Sequence, residues 1–209
     1  MSITPRIFLI DDQPAVLKAL SRLLGSAGYA VTSFGAAQDF LDSGNTAAAG
    51  CVVLDLAMPG MNGLAMQLAL KACDSALPII FLTGHGDIDT GVRAMKLGAF
   101  DFLTKPVDDE RLLAAVHAAL ERNHQIRSDR TERDDILQRL AELTPREREV
   151  LSLVVEGKLN KQVAADLGTV EKTIKVHRAR VMTKMKVRTL AELVRLADKV
   201  GIRGSAGAS

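Results

Sequence analysis

Short apolar runs rich in β-branched and aromatic residues recur through the first part of the chain: IFLI at 7–10, VTSF at 31–34, CVVL at 51–54, PIIFL at 78–82 and FDFL at 100–103. Each has the length of a strand and lacks the strict alternation of a half-solvated one. Between them the apolar period changes. In AVLKALSRLLGSAG, Val16, Leu20, Leu23 and Leu24 share one helical face, and comparable patterns occupy 36–43, 63–73, 87–97 and 108–121. Five strand-helix units in succession imply a parallel sheet covered on both faces, so this alternation predicts an α/β fold, a doubly wound five-stranded parallel sheet.

From residue 144 the pattern is wholly helical. Thr144-Pro145-Arg146-Glu147 reads as a capping box with proline at the first helical position, and Thr189 to Glu192 as a second box. Asn160 is the expected cap of KQVAADLG, which Gly168 ends. Four helices in so short a span suggest a helix-turn-helix in a second, smaller all-α domain. Between the two parts, NHQIRSDRTERDDILQRL contains neither Pro nor Gly. It spaces Arg130 with Asp134, Asp129 with Arg133 and Asp135 with Arg139 four apart, pairs that support a helix by ~0.2–0.5 kcal/mol each. The expected division is therefore 1–122, a helical linker over 123–140 that continues the helix from 108, a helical domain over 141–200, and a mobile tail over 201–209.

Composition changes this picture in one respect. The net charge of +2 hides a division: residues 1–122 carry nine Lys and Arg against thirteen Asp and Glu, residues 123–140 four against four, and residues 141–209 fourteen against eight. An acidic front suits a cation and a basic back suits a polyanion such as nucleic acid. The 209 residues suffice for two cores. No leader pattern and no apolar run near the ~20 residues of a bilayer span is present, so a cytoplasmic chain without a membrane partner is expected. Cys51 and Cys73 fit inert thiols better than a disulfide or metal site.

In doubly wound sheets, ligands sit beyond the carboxyl ends of the strands. Asp11 and Asp12 follow the first strand, Asp55 ends the third, Thr83 the fourth, and Lys105, before Pro106, the fifth. Three carboxylates on one rim raise one another's pKa unless a cation compensates, and a hard, oxygen-seeking ion such as Mg²⁺ suits them. With the charge neutralised, Asp55 can act as a nucleophile toward phosphorus, Lys105 can pair with phosphoryl oxygens and Thr83 can offer them a hydroxyl. Taken alone, an Asp at a strand end is a cap or turn residue, Phe102 is core, and Gly60 and Gly63 are turn residues. His85, His117 and His124 have no metal-ligand spacing.

LIDD at 9–12, VVLDLAMPGMNG at 52–63, FLTGHGD at 81–87 and DFLTKP at 101–106 together resemble the receiver domain of bacterial two-component response regulators, a flavodoxin-like fold. The resemblance implies that Asp55 is the phosphoacceptor, that Asp11 and Asp12 hold Mg²⁺ with Asp55 and the backbone carbonyl of Ala57, and that Thr83, Phe102 and Lys105 form the switch set. It implies a sensor histidine kinase as phosphodonor and dimerisation on phosphorylation.

The basic run TVEKTIKVHRARVMTKMK at 169–186, plotted as a helix, puts Ile174, Val181 and Met185 on a packing arc. Lys172, Lys175, Val176, Ala179, Thr183 and Lys186 lie opposite. Basic helix faces are commonly just solvated, but a valine among lysines suits a major groove, where thymine presents a methyl. With LTPREREVLSLVVEGKLNKQVAADLG before it, the segment resembles the LuxR-type DNA-binding domain, and the whole chain the NarL/FixJ group of response regulators. That implies promoter DNA and RNA polymerase as further partners, with Lys175 and Val176 reading bases and Lys172 and Lys186 on the backbone. Where the family often has Ile-Ser before the recognition helix, this chain has Thr169-Val170, so the cap is expected to shift to Thr169. The expected function is phosphorylation-controlled transcription rather than turnover of a separate substrate. A rival is a Mg²⁺-dependent phosphohydrolase using Asp55; enzymes of the haloacid-dehalogenase type place a second acid two residues on, where this chain has Ala57.

Overall fold

The computed structural model describes residues 5–84 and 88–202, so His85, the end of FLTGHGD, the first residue of the 87–97 pattern and most of the 201–209 tail lie outside the described residues. The chain divides into two compact units, Met1–Ser128 and Asp129–Ser209. In the first, β1 (Arg6–Ile10), α1 (Pro14–Ser26), β2 (Ala30–Phe34), α2 (Ala37–Asp42), a 3-10 turn (Asn45–Ala47), β3 (Gly50–Asp55), α3 (Gly63–Ala72), β4 (Ile79–Thr83), α4 (Ile88–Lys96) and β5 (Asp101–Thr104) lead into α5 (Asp109–Ala141). The sheet is parallel in the order β2-β1-β3-β4-β5, so the strand order reverses between β1 and β3.

Strand alternation sorts the core into two layers. Phe8, Ile10, Val52, Leu54 and Phe81 pack on one face with Phe40, Met66 and Leu70. Ile7, Leu9, Cys51, Val53, Ile80 and Leu82 pack on the other with Leu24, Leu112 and Val116. Every residue of β3 is buried, which explains its unbroken apolar run. Burial pushes the Cys51 thiol up to about 12, so it stays protonated. Cys73, by contrast, is exposed at the end of α3.

Helix α5 runs through 123–140 without interruption. Its residues past 122 are not all solvated, however. Asn123 is 2% exposed; its side chain accepts from the Gly50 N–H at 3.0 Å and donates to the Ala76 carbonyl at 2.7 Å. Arg127 donates to the Ala47 carbonyl at 2.8 Å. These bonds tie the helix to the amino-terminal edge of the sheet, and the first compact unit accordingly extends to Ser128.

In the second unit the end of α5 joins α6 (Pro145–Val155), α7 (Asn160–Asp166), α8 (Glu171–Lys184) and α9 (Leu190–Lys199). Ile136, Leu143, Val150, Val154, Val163, Ile174, Val181, Met185 and Leu193 form its core. Arg139 pairs with Asp135 at the expected four-residue spacing. Both capping boxes are present, at Thr144 with Glu147 and at Thr189 with Glu192.

Four local expectations are corrected. Asn160 is the first residue of α7, not its cap; Leu159 holds that place, and Gln162 accepts the Leu159 N–H at 2.8 Å. Thr169 does not cap α8, because it closes α7: with Gly168 at φ 62, its N–H reaches the Ala164 carbonyl at 2.9 Å, leaving Val170 as the cap. Lys186 lies past α8 in the left-handed region at φ 54, where the Val187 N–H bonds the Met182 carbonyl at 3.1 Å and stops the helix. Gly63 is not a turn residue but the first of α3, and a Cβ there would sit 2.7 Å from the Asp55 carbonyl oxygen and 2.8 Å from the Phe81 ring.

Candidate functional site

Parallel pairing brings the carboxyl ends of β1, β3, β4 and β5 to one rim. The Asp11 N–H bonds the Phe34 carbonyl at 3.2 Å, and its Oδ1 accepts the Gln13 N–H at 2.8 Å, which orients the carboxylate. Asp55 ends β3 in register with Leu82, and the following N–H, of Leu56, bonds the Leu82 carbonyl at 3.1 Å. The Lys105 N–H bonds the Thr83 carbonyl at 2.7 Å, which brings the lysine alongside the end of β4.

The side chains then meet. Lys105 Nζ is 2.6 Å from Asp11 Oδ2 and 3.0 Å from Asp55 Oδ1, with its side chain only 18% exposed. Burial raises the Asp55 pKa above the usual carboxylate range; the hydrogen bond and charge of Lys105 oppose this, and Asp11 adds to it. Burial alone would lower the Lys105 pKa, but its hydrogen bonds to Asp11 and Asp55 carry it above the usual value. Asp11, Asp12 and Asp55 each offer a ligand oxygen within 4.8 Å of the others. Three oxygen donors, two of them buried, fit a hard divalent cation and would not suit a soft one. Ala57 is exposed just beyond β3.

Thr83 is 3% exposed and is in register with Thr104. Phe102 lies a step back on β5, in register with Phe81, its ring centroid 6.4 Å from that of Phe81. On its other side the ring lies against α4, where a Cβ on Gly91 would be 3.2 Å from it. Phe102 thus touches both the core beneath the rim and a surface helix. His117 and His124 are exposed on α5, away from any such cluster.

On α8 and its C-cap Met185, Ile174, Val181 and Met185 are fully buried, and Lys172, Lys175, Val176, Ala179 and Thr183 are exposed, as the helical plot predicts. Lys186 is exposed but lies beyond the helix. Lys175 pairs with Glu171 at 3.1 Å. Two attachments were not visible in the sequence. Arg178 donates to Asn160 Oδ1 at 3.1 Å, linking α8 to the start of α7. Lys184 bonds Glu147 at 2.7 Å and the Glu142 carbonyl at 3.0 Å. The Glu147 side chain is 3% exposed, and its pKa is lowered to about 2, first by the Lys184 hydrogen bond and then by the Thr144 N–H. The capping box signalled Glu147 as a cap; nothing local signalled that it also anchors α8.

Comparison with known proteins agrees with both halves. Residues 7–117 match the response regulator receiver domain, and residues 141–197 the bacterial regulatory proteins of the luxR family. The chain is 45% identical to the response regulator protein TodT of Pseudomonas putida, over 93% of this chain and 86% of that one. It is 44% identical to the transcriptional regulatory protein FixJ of Bradyrhizobium diazoefficiens, over 97% and 98%. A solved structure of the response regulator StyR, 44% identical, aligns with a TM-score of 0.85 over 94% of this chain and 99% of that one. Among the described residues no helix is long and apolar enough to cross a membrane. An acid rim with a lysine and an exposed basic helix, each matched by its own family and both by full-length relatives, identify the chain as a two-component response regulator that joins a receiver domain to a LuxR-type DNA-binding domain.

Proposed function

We propose that Asp55 accepts a phosphoryl group from a sensor histidine kinase, and that this modification controls promoter binding by α8. The observation that carries the reading is the setting of Asp55: a nearly buried carboxylate at the end of the central strand, 3.0 Å from Lys105 and grouped with Asp11 and Asp12. A carboxylate oxygen of Asp55 attacks phosphorus, the bond from phosphorus to the donor imidazole nitrogen breaks, and that nitrogen takes up a proton. Asp11, Asp12 and Asp55, with the Ala57 carbonyl, would hold Mg²⁺. When bound, the ion neutralises charge on the carboxylates and on the phosphoryl oxygens. Lys105 pairs with a phosphoryl oxygen, exchanging its present bond to Asp55 for one to the new group. Water later attacks phosphorus, the bond from phosphorus to the Asp55 oxygen breaks, and inorganic phosphate leaves with the Asp55 carboxylate restored. The chain turns over no separate substrate.

Thr83 and Phe102 carry the change outward. The Thr83 hydroxyl moves toward the phosphoryl group, and the Phe102 ring, resting on Gly91 of α4, follows into the space vacated. Val92 and Met95 on α4, 47% and 45% exposed, are apolar surface suited to a phosphorylation-dependent homodimer. The receiver and the DNA-binding domain are joined through α5, which belongs to the first unit as far as Ser128 and to the second from Asp129. In the dimer, Lys175 and Val176 read base edges, Lys172 and Lys186 contact phosphates, and Ala179 and Thr183 line the same face. The bound dimer presents itself to RNA polymerase in the cytoplasm, where kinase and chromosome are both accessible.

Label from a radioactive acyl phosphate, with Mg²⁺ present, should attach to the parent chain and be absent from Asp55→Asn. Equal labelling of the variant would remove Asp55 from the mechanism.

A further inference from the structure

The helices of the second unit are not all started in the same way. Thr144 and Thr189 accept a backbone N–H at the first turns of α6 and α9. Val170, the cap of α8, makes no side-chain cap hydrogen bond. It also buries little, being 65% exposed, more than Val176 at 46%. Valine is a poor cap, and serine or threonine would satisfy one of the free N–H groups of the first turn. The helix most concerned with DNA therefore gives up a local stabilisation and exposes methyl groups in its place. A position that breaks a local rule without a compensating contact within the fold is a candidate for use by a ligand.

Geometry narrows the ligand. In a helix-turn-helix the residues at the amino-terminal end of the recognition helix reach base edges in the major groove, while the preceding helix crosses the backbone. Leu159, 70% exposed, is the cap of α7, so its environment is sugar and phosphate. Val170 stands at the end of the helix that enters the groove. Its side chain offers no donor to a phosphate and none to a purine edge; the one major-groove feature an isopropyl group can recognise is the C5-methyl of thymine. We infer that Val170 is a specificity-determining residue that contacts a thymine methyl where α8 enters the major groove. The inference rests on the DNA-binding reading above and adds a base position to it, separate from that of Val176.

The test uses the full-length, acyl-phosphate-treated chain and Val170→Ser. Sites are first selected by the parent from a random duplex pool, and each thymine of the selected half-site is then replaced by uracil, which lacks the methyl. Val170→Ser gains a capping hydroxyl, so its thermal unfolding midpoint should rise. Its affinity for the selected site should nevertheless fall roughly fivefold, with binding to random DNA unchanged. At one edge thymine, uracil should weaken the parent by a similar factor and leave Val170→Ser unaffected. If the variant is stabilised and binds the selected site as well as the parent, or if uracil weakens both equally at every position, Val170 reads nothing and the inference falls. A parent that selects no sequence at all would overturn the DNA-binding reading itself, an outcome visible before any variant is made.

Discussion

In the receiver, Asp11 and Asp55 are 3% and 4% exposed and share the ammonium of Lys105, whereas on α8 the side chain of Lys175 is 64% exposed and pairs with Glu171, itself 47% exposed. Buried charges cost several kcal/mol each unless their partners are fixed in place, on the order of 3–5 kcal/mol when one partner is removed. Exposed ones cost almost nothing and are worth about 0–1 kcal/mol as pairs. The two units thus store their function differently. The receiver needs a rigid arrangement of opposite charges at the ends of four elements, and the DNA-binding unit needs only a face that stays charged and free. Mutations should separate the two kinds of charge cleanly.

The largest stability effect is expected at Lys105. Lys105→Ala leaves two buried acids without their countercharge and should cost about 2–4 kcal/mol in urea unfolding without divalent ions, with part of the loss recovered on adding Mg²⁺. A loss below half a kcal/mol would make the receiver's charge as dispensable as that of α8 and would end the contrast.

Next comes the exception within the second unit. Glu147 is a buried charge in the unit whose basic face is solvated, and Glu147→Gln should destabilise that unit by on the order of 2–3 kcal/mol near neutral pH. Its folded pKa, about 2, lies below the ordinary glutamate value of 4.5. The stabilisation is therefore complete above about pH 4.5 and declines as pH falls toward 2. Unfolding curves of parent and variant should converge as pH is lowered through this window. A difference that stays constant down to pH 3 would mean that Glu147 packs rather than pairs.

A smaller effect has the opposite sign. Lys186 occupies a left-handed position, φ 54, usually taken by glycine, so Lys186→Gly should stabilise the second unit by about 0.5–1 kcal/mol. If Lys186 contacts a phosphate, the same change should weaken all DNA alike and reduce the salt slope by about one unit. The smallest change in stability belongs to Lys175→Ala, within about 0.5 kcal/mol, although binding to the selected site should fall by about 1–3 kcal/mol. Equal losses on specific and random DNA would move Lys175 from the bases to the backbone.

How much could be read in advance follows the same division. The strands, the sheet and the acid rim were legible because burial forces long apolar runs and each rim residue directly follows one. Both threonine capping boxes were legible because their partners lie three residues apart. Asn123 was not: its partners, Gly50 and Ala76, are distant in sequence, and in isolation the residue looks like the start of a polar linker. Gly63 resembled a turn glycine because the approach of Phe81 and the Asp55 carbonyl exists only after folding. Thr169 and Lys186 were misplaced because a helix stop is set by the backbone bonds of the closing turn, and either residue type is compatible with the neighbouring helix. Asn160 was the better cap by residue type, yet helix α7 begins at Asn160 itself, with Leu159 in the capping position.

The central claim is that a buried acid in one unit governs an exposed basic face in the other. Anisotropy titration of a selected duplex with the full-length chain, before and after acyl phosphate and Mg²⁺, measures that coupling directly. The parent should bind about 5–150-fold more tightly after treatment, the usual span of coupling between two sites, and Asp55→Asn should show one affinity throughout. A parent that takes up phosphate on Asp55 with no change in DNA affinity, or an Asp55→Asn chain that tightens as much as the parent, would contradict the account.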